Sequence, residues 1–404
     1  MNARGDATVL LAGGGTGGHV FPSLAVAEAL RAARPDLRVE FVGTSRGLES
    51  QLVPQAGWTL HTVGALPLAR RLSPATLRLP VVVLSAARAV GELIRTRGVV
   101  AGCGLGGYVS VPLALAARRA HIPLVLHEQN AVPGLANRLA ARWAHTVAVS
   151  FPDSAQRFPR PDRVVVTGNP VRPGLAGVDR AALRAEALAA FDLDPDRSTL
   201  LVFGGSQGAR RLNEAVVAGA ALWAAPERLQ ILHATGRGAH AAVTAAWQAA
   251  LASPGRAVPV VRCQDFIARM DLAYAAADVV VCRAGASSIA ELTVLGLPSV
   301  LVPYPHATAD HQSANARALA AAGGALVVTD ADLDAAALVD ACEPLLLQPA
   351  RRAEVAAAAG AFGRPDAAAA VADLVLSALA RAGSAPPAAG ERSAAQPAPR
   401  ERSP

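Results

Sequence analysis

Short, almost unbroken apolar runs recur along the chain, and alanine-rich stretches of helical length separate them. The runs at 8–11, 39–42, 124–126, 146–149, 200–203, 279–281 and 299–302 are the clearest. Strands that are apolar on both faces and alternate with helices predict parallel sheets covered by helices on each side, an α/β fold.

Two places repeat one layout. Val9-Leu10-Leu11-Ala12 feeds Gly13-Gly14-Gly15-Thr16-Gly17-Gly18 and then a helix. Leu200-Leu201-Val202-Phe203 feeds Gly204-Gly205-Ser206-Gln207-Gly208-Ala209 in the same way. A strand, a glycine-rich turn and a helix, twice over, predict two Rossmann-like domains facing across a cleft, with the ligand site beyond the carboxyl ends of the strands. The Pro- and Gly-rich stretch Gly168-Asn169-Pro170-Val171-Arg172-Pro173-Gly174 marks the boundary, giving domains at 1–168 and 169–382. Residues 383–404 are an Ala/Pro/Ser/Arg tail expected to be disordered.

Composition narrows the partners. The chain of 404 residues is 52% hydrophobic, with a mean hydropathy of +0.32. Much of that is alanine, and no run is apolar for the roughly 18 residues that a membrane-spanning helix needs. The opening Met1 to Asp6 passes directly into the first apolar run, as a strand and not a signal peptide does. Cys103, Cys263, Cys282 and Cys342 are far apart, which argues for a reducing compartment and against zinc or a disulfide framework. A net charge of +7 points to an anionic partner. With aromatics at 4% and no basic run interleaved with them, nucleic acid is not expected.

Candidate chemistry gathers at the turns. Gly13 to Gly18 satisfies the dinucleotide pattern, with Glu40 as its ribose acid, so an NAD-dependent dehydrogenase stays open. His19 follows that turn, and its imidazole, titrating near neutrality, suits either proton transfer or a helix cap. Gly104 to Ser110 forms a third glycine turn, and His127-Glu128-Gln129-Asn130 ends a strand as a polar wall. Arg283 to Glu291 opens a helix with small residues, whose free N–H groups suit a diphosphate, and Ser206 is a further phosphate contact. No Asp-x-Asp pair stands beside a strand, so no metal or cofactor is expected. A departing diphosphate then relies on helix dipoles and arginine. Residues 74–97 read as an amphipathic basic helix, with Val83, Leu84, Ala87, Val90 and Ile94 on one face and Arg88, Glu92 and Arg95 on the other. Arg70, Arg71 and Arg78 precede or begin it. Such a helix can lie on an anionic membrane surface, although a core-facing domain helix with a solvated polar side is the more common use of this pattern.

In order along the chain, Gly14 to Pro22, Gly106 to Ser110, His127 to Asn130, Gly168 to Arg172, Gly204 to Arg210 and Cys282 to Glu291 resemble the peptidoglycan glycosyltransferases of family 28 over about residues 9–378. The resemblance implies a GT-B fold whose last helix packs back on the first domain. It also implies an inverting transfer of N-acetylglucosamine from UDP-N-acetylglucosamine to the 4-hydroxyl of undecaprenyl-diphospho-N-acetylmuramyl-pentapeptide, lipid I, at the cytoplasmic face of a cell membrane. On this likeness Thr16, Gly17 and Gly18 line the donor–acceptor cleft and His19 is the base. Asn130 and Arg172 belong to the donor site, Ser206 touches phosphate and the Ile267 backbone reads the uracil. Arg283, Ala286 and Ser287 hold the diphosphate, Glu291 takes the ribose, and Gln312 and Asn315 contact the sugar. The chain departs from the family at Ala284, where serine is common, around Leu66-Pro67-Leu68, and in the loop before Gln312. Another GT-B glycolipid transferase and a non-catalytic nucleotide-sugar-binding subunit are the alternatives.

Overall fold

The computed structural model describes residues 7–64, 79–205, 208–252 and 257–384. In its first half β1 (Thr8–Ala12), β2 (Arg38–Gly43), β3 (Thr59–Thr62), β4 (Val99–Gly104), β5 (Leu124–Glu128), β6 (Thr146–Val149) and β7 (Val164–Val166) form one sheet, ordered β3-β2-β1-β4-β5-β6-β7. In its second half β8 (Ser198–Phe203), β9 (Leu229–Ala234), β10 (Val260–Gln264), β11 (Val279–Cys282), β12 (Ser299–Leu301) and β13 (Ala325–Val327) form another, ordered β10-β9-β8-β11-β12-β13. Every neighbouring pair is parallel.

Parallel strands need helical crossovers, so both faces of each sheet are covered and both must be apolar. The side chains of β1 divide accordingly. Leu10 and Ala12 enter one core with Val42 and Leu126, while Val9 and Leu11 enter the opposite core with Phe41 and Val125. In β8, Leu200 and Val202 pack with Trp247, and Leu201 and Phe203 pack with Tyr274. All four cysteines are free, three of them buried.

Each sheet reverses its strand order beside its first strand, between β1 and β4 and between β8 and β11. The loops leaving those strands diverge to opposite faces and leave a crevice. The turns 13–16 and 105–109 frame the first crevice, and Gly204, Gly208 and the turn 283–285 border the second.

The helix Ala367–Ser384 returns to the first sheet. Its Val371, Ala372, Val375 and Ala378 complete the core of Val9, Leu11 and Val26, so the chain passes between the halves twice. The passages touch: Gly168 has φ +83°, and a Cβ there would lie 2.4 Å from Cβ of Arg364.

The helix Leu79–Thr96 corrects the sequence reading in part. Ala87, Val90 and Ile94 are buried with Ala86 in the first-sheet core, as a core-facing helix requires. Leu84 is not on that face. It is 46% exposed and shares an outer stripe with Val81, 69% exposed, and with the exposed Arg88. Spacings of three and four place these three residues on one side of the helix. Arg70, Arg71 and Arg78 lie outside the described residues.

His127 and His233 are fully buried, and desolvation lowers the pKa of each to about 4. In the unfolded chain an imidazole titrates near about 6.5, so between that value and 4 the unfolded state binds more protons. The stabilisation is complete above the unfolded value and is lost as pH falls through the folded one. The urea midpoint, followed by circular dichroism, is expected to drop from about pH 7.5 to about pH 5. An unchanged midpoint would contradict the buried neutral imidazoles.

Candidate functional site

At the first crevice, Gly13 to Thr16 carries the chain from β1 into the helix Gly17–Ala33. Gly15 has φ +92°, a backbone state that favours glycine. Its N–H points inward and donates to Glu49 Oε2 at 2.7 Å. Thr16 is exposed and its Oγ1 lies 3.2 Å from His19 Nδ1. The His19 ring packs on the third glycine turn, where a Cβ on Gly106 would lie 2.4 Å from its Cδ2. Desolvation by these neighbours lowers its pKa to about 4, against the opposing effects of the Gly14 backbone and the Glu49 charge. This corrects the expectation of titration near neutrality: His19 is a neutral imidazole throughout the physiological range. It can accept a proton there without first losing one.

The polar wall at the end of β5 is organised by Glu128. Its carboxylate accepts from Asn130 N at 3.0 Å, Gly134 N at 3.1 Å and Asn137 Nδ2 at 2.9 Å. Burial raises its pKa, with those donors acting the other way. Gln129 Nε2 donates to Leu105 O at 3.3 Å, joining this wall to the third glycine turn.

At the second crevice the helix Ala286–Val294 begins directly after β11 and the Arg283 turn. Its first residues reach across to the first half, where Ser287 Oγ donates to Gly18 O at 3.3 Å. Beside it a cleft of about 600 Å³ is lined by Gly205, Arg211, Arg283, Ser288, Gln312 and Asp330. Arg283 Nη1 donates to Asp330 Oδ1 at 2.6 Å and to Pro303 O at 3.1 Å, and Arg211 approaches Asp330 Oδ2 at 3.4 Å. With Arg210 also in the wall, three arginines face one aspartate and the cleft is net positive. Gln312 Oε1 accepts from Tyr304 N at 2.9 Å. Ile267 is buried among Phe203 and Tyr274 in the loop after β10, which leaves its backbone as its polar surface.

Glu291 lies one and a half turns into that helix and is 3% exposed. Oε1 accepts from Arg172 Nε at 2.7 Å, and Oε2 accepts from the Tyr274 hydroxyl at 2.7 Å. Burial and the neighbouring carboxylate raise the tyrosine pKa well above its ordinary value, so it stays a donor. A ribose would share this carboxylate with Arg172 and Tyr274. Asn315 departs further from its expected role. It is fully buried, accepts from Ala131 N at 2.8 Å and donates to Asn130 Oδ1 and Ala284 O, each at 3.2 Å. Its amide staples the halves together and is not presented to a sugar in this arrangement. Asn130 is the other end of that staple.

The structure thus gathers Thr16, Gly17, Gly18, His19, Asn130, Arg172, Ala286, Ser287, Glu291 and Asn315 along the facing edges, with Arg283 and Gln312 in the adjoining cleft. Ser206 lies outside the described residues. Glu40 removes the dehydrogenase reading. It sits within β2 and is bonded to His61 at 2.7 Å and to Arg97 at 2.5 Å, so it is spent on an ion pair. The anion-binding amide of Gly15 is likewise taken by Glu49. Sequence reasoning missed Glu49, Tyr274, Arg211 and Asp330. Tyr274, one of three tyrosines, stands in an alanine-rich helix as a buried hydroxyl in need of a partner.

Comparison with known proteins gives a consistent picture. The Glycosyltransferase family 28 N-terminal domain matches residues 9–149, and the Glycosyltransferase family 28 C-terminal domain matches residues 199–371. The UDP-N-acetylglucosamine–N-acetylmuramyl-(pentapeptide) pyrophosphoryl-undecaprenol N-acetylglucosamine transferase of Nocardioides sp. is 48% identical over 369 residues, 91% of this chain and 97% of that protein. The protein of the same name from Streptomyces coelicolor is 44% identical, over 89% of this chain and 94% of its own. Among solved structures, Acinetobacter baumannii MurG superposes with a TM-score of 0.71 at 30% identity, covering 92% of this chain and all of that one.

Asn315→Ala removes both arms of the staple and leaves the buried Ala131 N–H unpaired. The expected loss of stability is about 1–3 kcal/mol, the cost of an orphaned buried donor. Urea titration measures it, and small-angle X-ray scattering should show a larger radius of gyration. A variant as stable and compact as wild type would mean that the halves are held elsewhere.

Proposed function

The chain belongs to glycosyltransferase family 28, and from that premise we propose that it transfers N-acetylglucosamine from UDP-N-acetylglucosamine to the 4-hydroxyl of undecaprenyl-diphospho-N-acetylmuramyl-pentapeptide. It is a hexosyltransferase of the GT-B fold, acting in peptidoglycan synthesis. The observation that carries this reading is a 48% identity along 97% of a protein named for that transfer. The meeting of both crevices at Gly18 and Ser287 supports it, because a transfer needs donor and acceptor in one place.

Residues 1–168 take the acceptor, and residues 169–382 take the donor, with the last helix packed on the acceptor half. The uracil lies against the Ile267 backbone and the ribose against Glu291, with Arg172 beside it. The diphosphate meets Ser206, Arg283 and the helix start at Ala286 and Ser287, while Gln312 faces the sugar with the Asn130–Asn315 contact behind it. Thr16, Gly17 and Gly18 line the path between the two substrates. The acceptor oxygen attacks the anomeric carbon from the face opposite UDP and its proton passes to His19. The carbon–oxygen bond to UDP breaks as the new one forms, so the configuration inverts. Negative charge on the departing diphosphate is met by arginine and by the helix N-terminus.

The acceptor is a lipid, and no helix among the described residues is long and apolar enough to cross a membrane. The protein binds at the cytoplasmic surface of an anionic membrane. Val81, Leu84 and Arg88 form an exposed stripe, and the helix Leu135–Ala140 adds Leu135 at 74% exposure, Leu139 at 41% and the exposed Arg138. Both helices pack on Ser110–Arg119.

Mass spectrometry of products from purified protein, UDP-N-acetylglucosamine and lipid I tests the reaction. His19→Ala is expected to lower kcat by about 10²–10⁴-fold, the usual contribution of a general base. The Kd for UDP should stay near wild type. Because His19 is protonated only below a pKa of about 4, the acidic limb of kcat/KM should fall below pH 5 in wild type, at about the pKa of the free base. A near-normal kcat in the variant, or a limb near 6.5, would remove His19 from that role.

Sedimentation with anionic vesicles tests the membrane surface. Binding should be strong at low ionic strength and decline as salt is added. Arg88→Gln with Arg138→Gln should weaken it by roughly 2 kcal/mol, about 1 kcal/mol for each charge. Wild-type protein that ignores such vesicles at low salt would defeat this placement.

A further inference from the structure

Glu49 opens the short helix Glu49–Gln55 and is only 1% exposed. Beyond the Gly15 N–H on Oε2, its Oε1 accepts from Thr44 N at 2.9 Å and from Thr44 Oγ1 at 2.8 Å. Gly47 N donates to the same Thr44 hydroxyl at 3.2 Å. Three glycines are moulded to this carboxylate. A Cβ on Gly14 would lie 2.5 Å from a Glu49 atom, one on Gly43 2.6 Å, and one on Gly47 1.9 Å. Burial opposes its ionisation, but the donors from Gly15 and Thr44 outweigh that and hold its pKa below the usual carboxylate value. The group is therefore a fixed anion seated under the first glycine turn. Thr16, at the N-cap of the helix that carries His19, makes no side-chain capping bond, and Glu49 holds the turn just before it through the Gly15 N–H.

We infer that Glu49 is a positioning residue for the transfer, holding the 13–18 turn so that Thr16 and His19 face the acceptor. This rests on the reading of His19 as the acceptor-side base. Glu49 has no path to substrate, since its oxygens are spent on Gly15 and Thr44, and it acts through the turn. It acts on His19 also through charge, because it favours the protonated imidazole while His311 disfavours it. His127, buried nearby, has its own pKa lowered mainly by desolvation and in part by the charge of His19.

Glu49→Gln keeps the size but turns an amide NH₂ toward either the Gly15 N–H or the Thr44 donors, so one arm is lost. The expected kcat falls about 10–100-fold, on the scale of a displacement of about 1 Å at a reacting group. The Kd for UDP is unchanged, and the acidic limb of the rate profile moves to lower pH because a negative charge near His19 is gone. A merely structural role would not move that limb. Thr44→Val keeps Glu49 and removes one of its donors. It should lower kcat at unchanged UDP affinity, by less than Glu49→Gln and without the limb shift because the carboxylate remains, and it carries the test if Glu49→Gln does not fold. In the pair His19→Ala with Glu49→Gln, kcat should be close to that of His19→Ala alone, since both changes remove one function. A kcat within twofold of wild type in Glu49→Gln, or a double variant whose loss multiplies the two single losses, overturns the proposal. A near-normal kcat in His19→Ala overturns the base reading instead. In that event a fall in kcat at constant UDP affinity in Glu49→Gln still supports the positioning of the turn, and its absence refutes it.

Discussion

A carboxylate taken out of water has to be met by a cation or by hydrogen-bond donors, and the way Glu291 is met sets the geometry of the cleft. Its cation, Arg172, comes from the segment that passes between the two sheets, and its neutral donor, Tyr274, from the helix Met270–Ala276. Arg172 also lies over the ring of Phe21, 4.7 Å from its centroid, on the helix that carries His19. One buried charge therefore ties together the helix Ala286–Val294, the passage between halves and the helix Gly17–Ala33. Removing Arg172 would leave the buried Glu291 carboxylate with the Tyr274 hydroxyl as its neutral donor, at the cost of a charge stripped of its cation.

The two glycine turns after β1 and β8 look alike in sequence, and their surroundings make them chemically different. The first is plugged from below by Glu49, so its inward N–H is neutralised by the protein itself. The second borders an open cleft whose wall is net positive. One turn is a rigid mount for side chains, and the other offers room and charge for an anion. Glycine is required in both, but in the first because a carboxylate fills the space that a Cβ needs.

The parallel sheets, their division into two Rossmann-like halves and the glycine turns that leave β1 and β8 were legible in the sequence, because continuous apolar runs and glycine turns report directly on buried strands and on close backbone approach; the strand order itself was not. His19, Arg283 and Glu291 stood out as candidates through their neighbours along the chain, and Arg172 through the family resemblance. What was not legible is pairing at a distance. Nothing near Glu49 marks it as the partner of Gly15, 34 residues away. Nothing near Asn315 shows that its amide meets Ala131, 184 residues earlier. Leu84 was misplaced because one extra apolar residue beside a helical stripe does not reveal which stripe it joins. The downward shift of the His19 pKa was hidden for the same reason: desolvation comes from the Gly106 turn, remote in sequence, and not from the residues beside it.

The return of the last helix to the first sheet has a mechanical consequence. Two strands of chain join the halves, and they run side by side where Gly168 meets Arg364. A single tether allows a domain to swing and twist in any direction. Two adjacent tethers behave like paired pins and suppress twist, leaving rotation about one axis through the junction. A separation of the halves about that axis would have to break the Gly18–Ser287 and Ala131–Asn315 contacts.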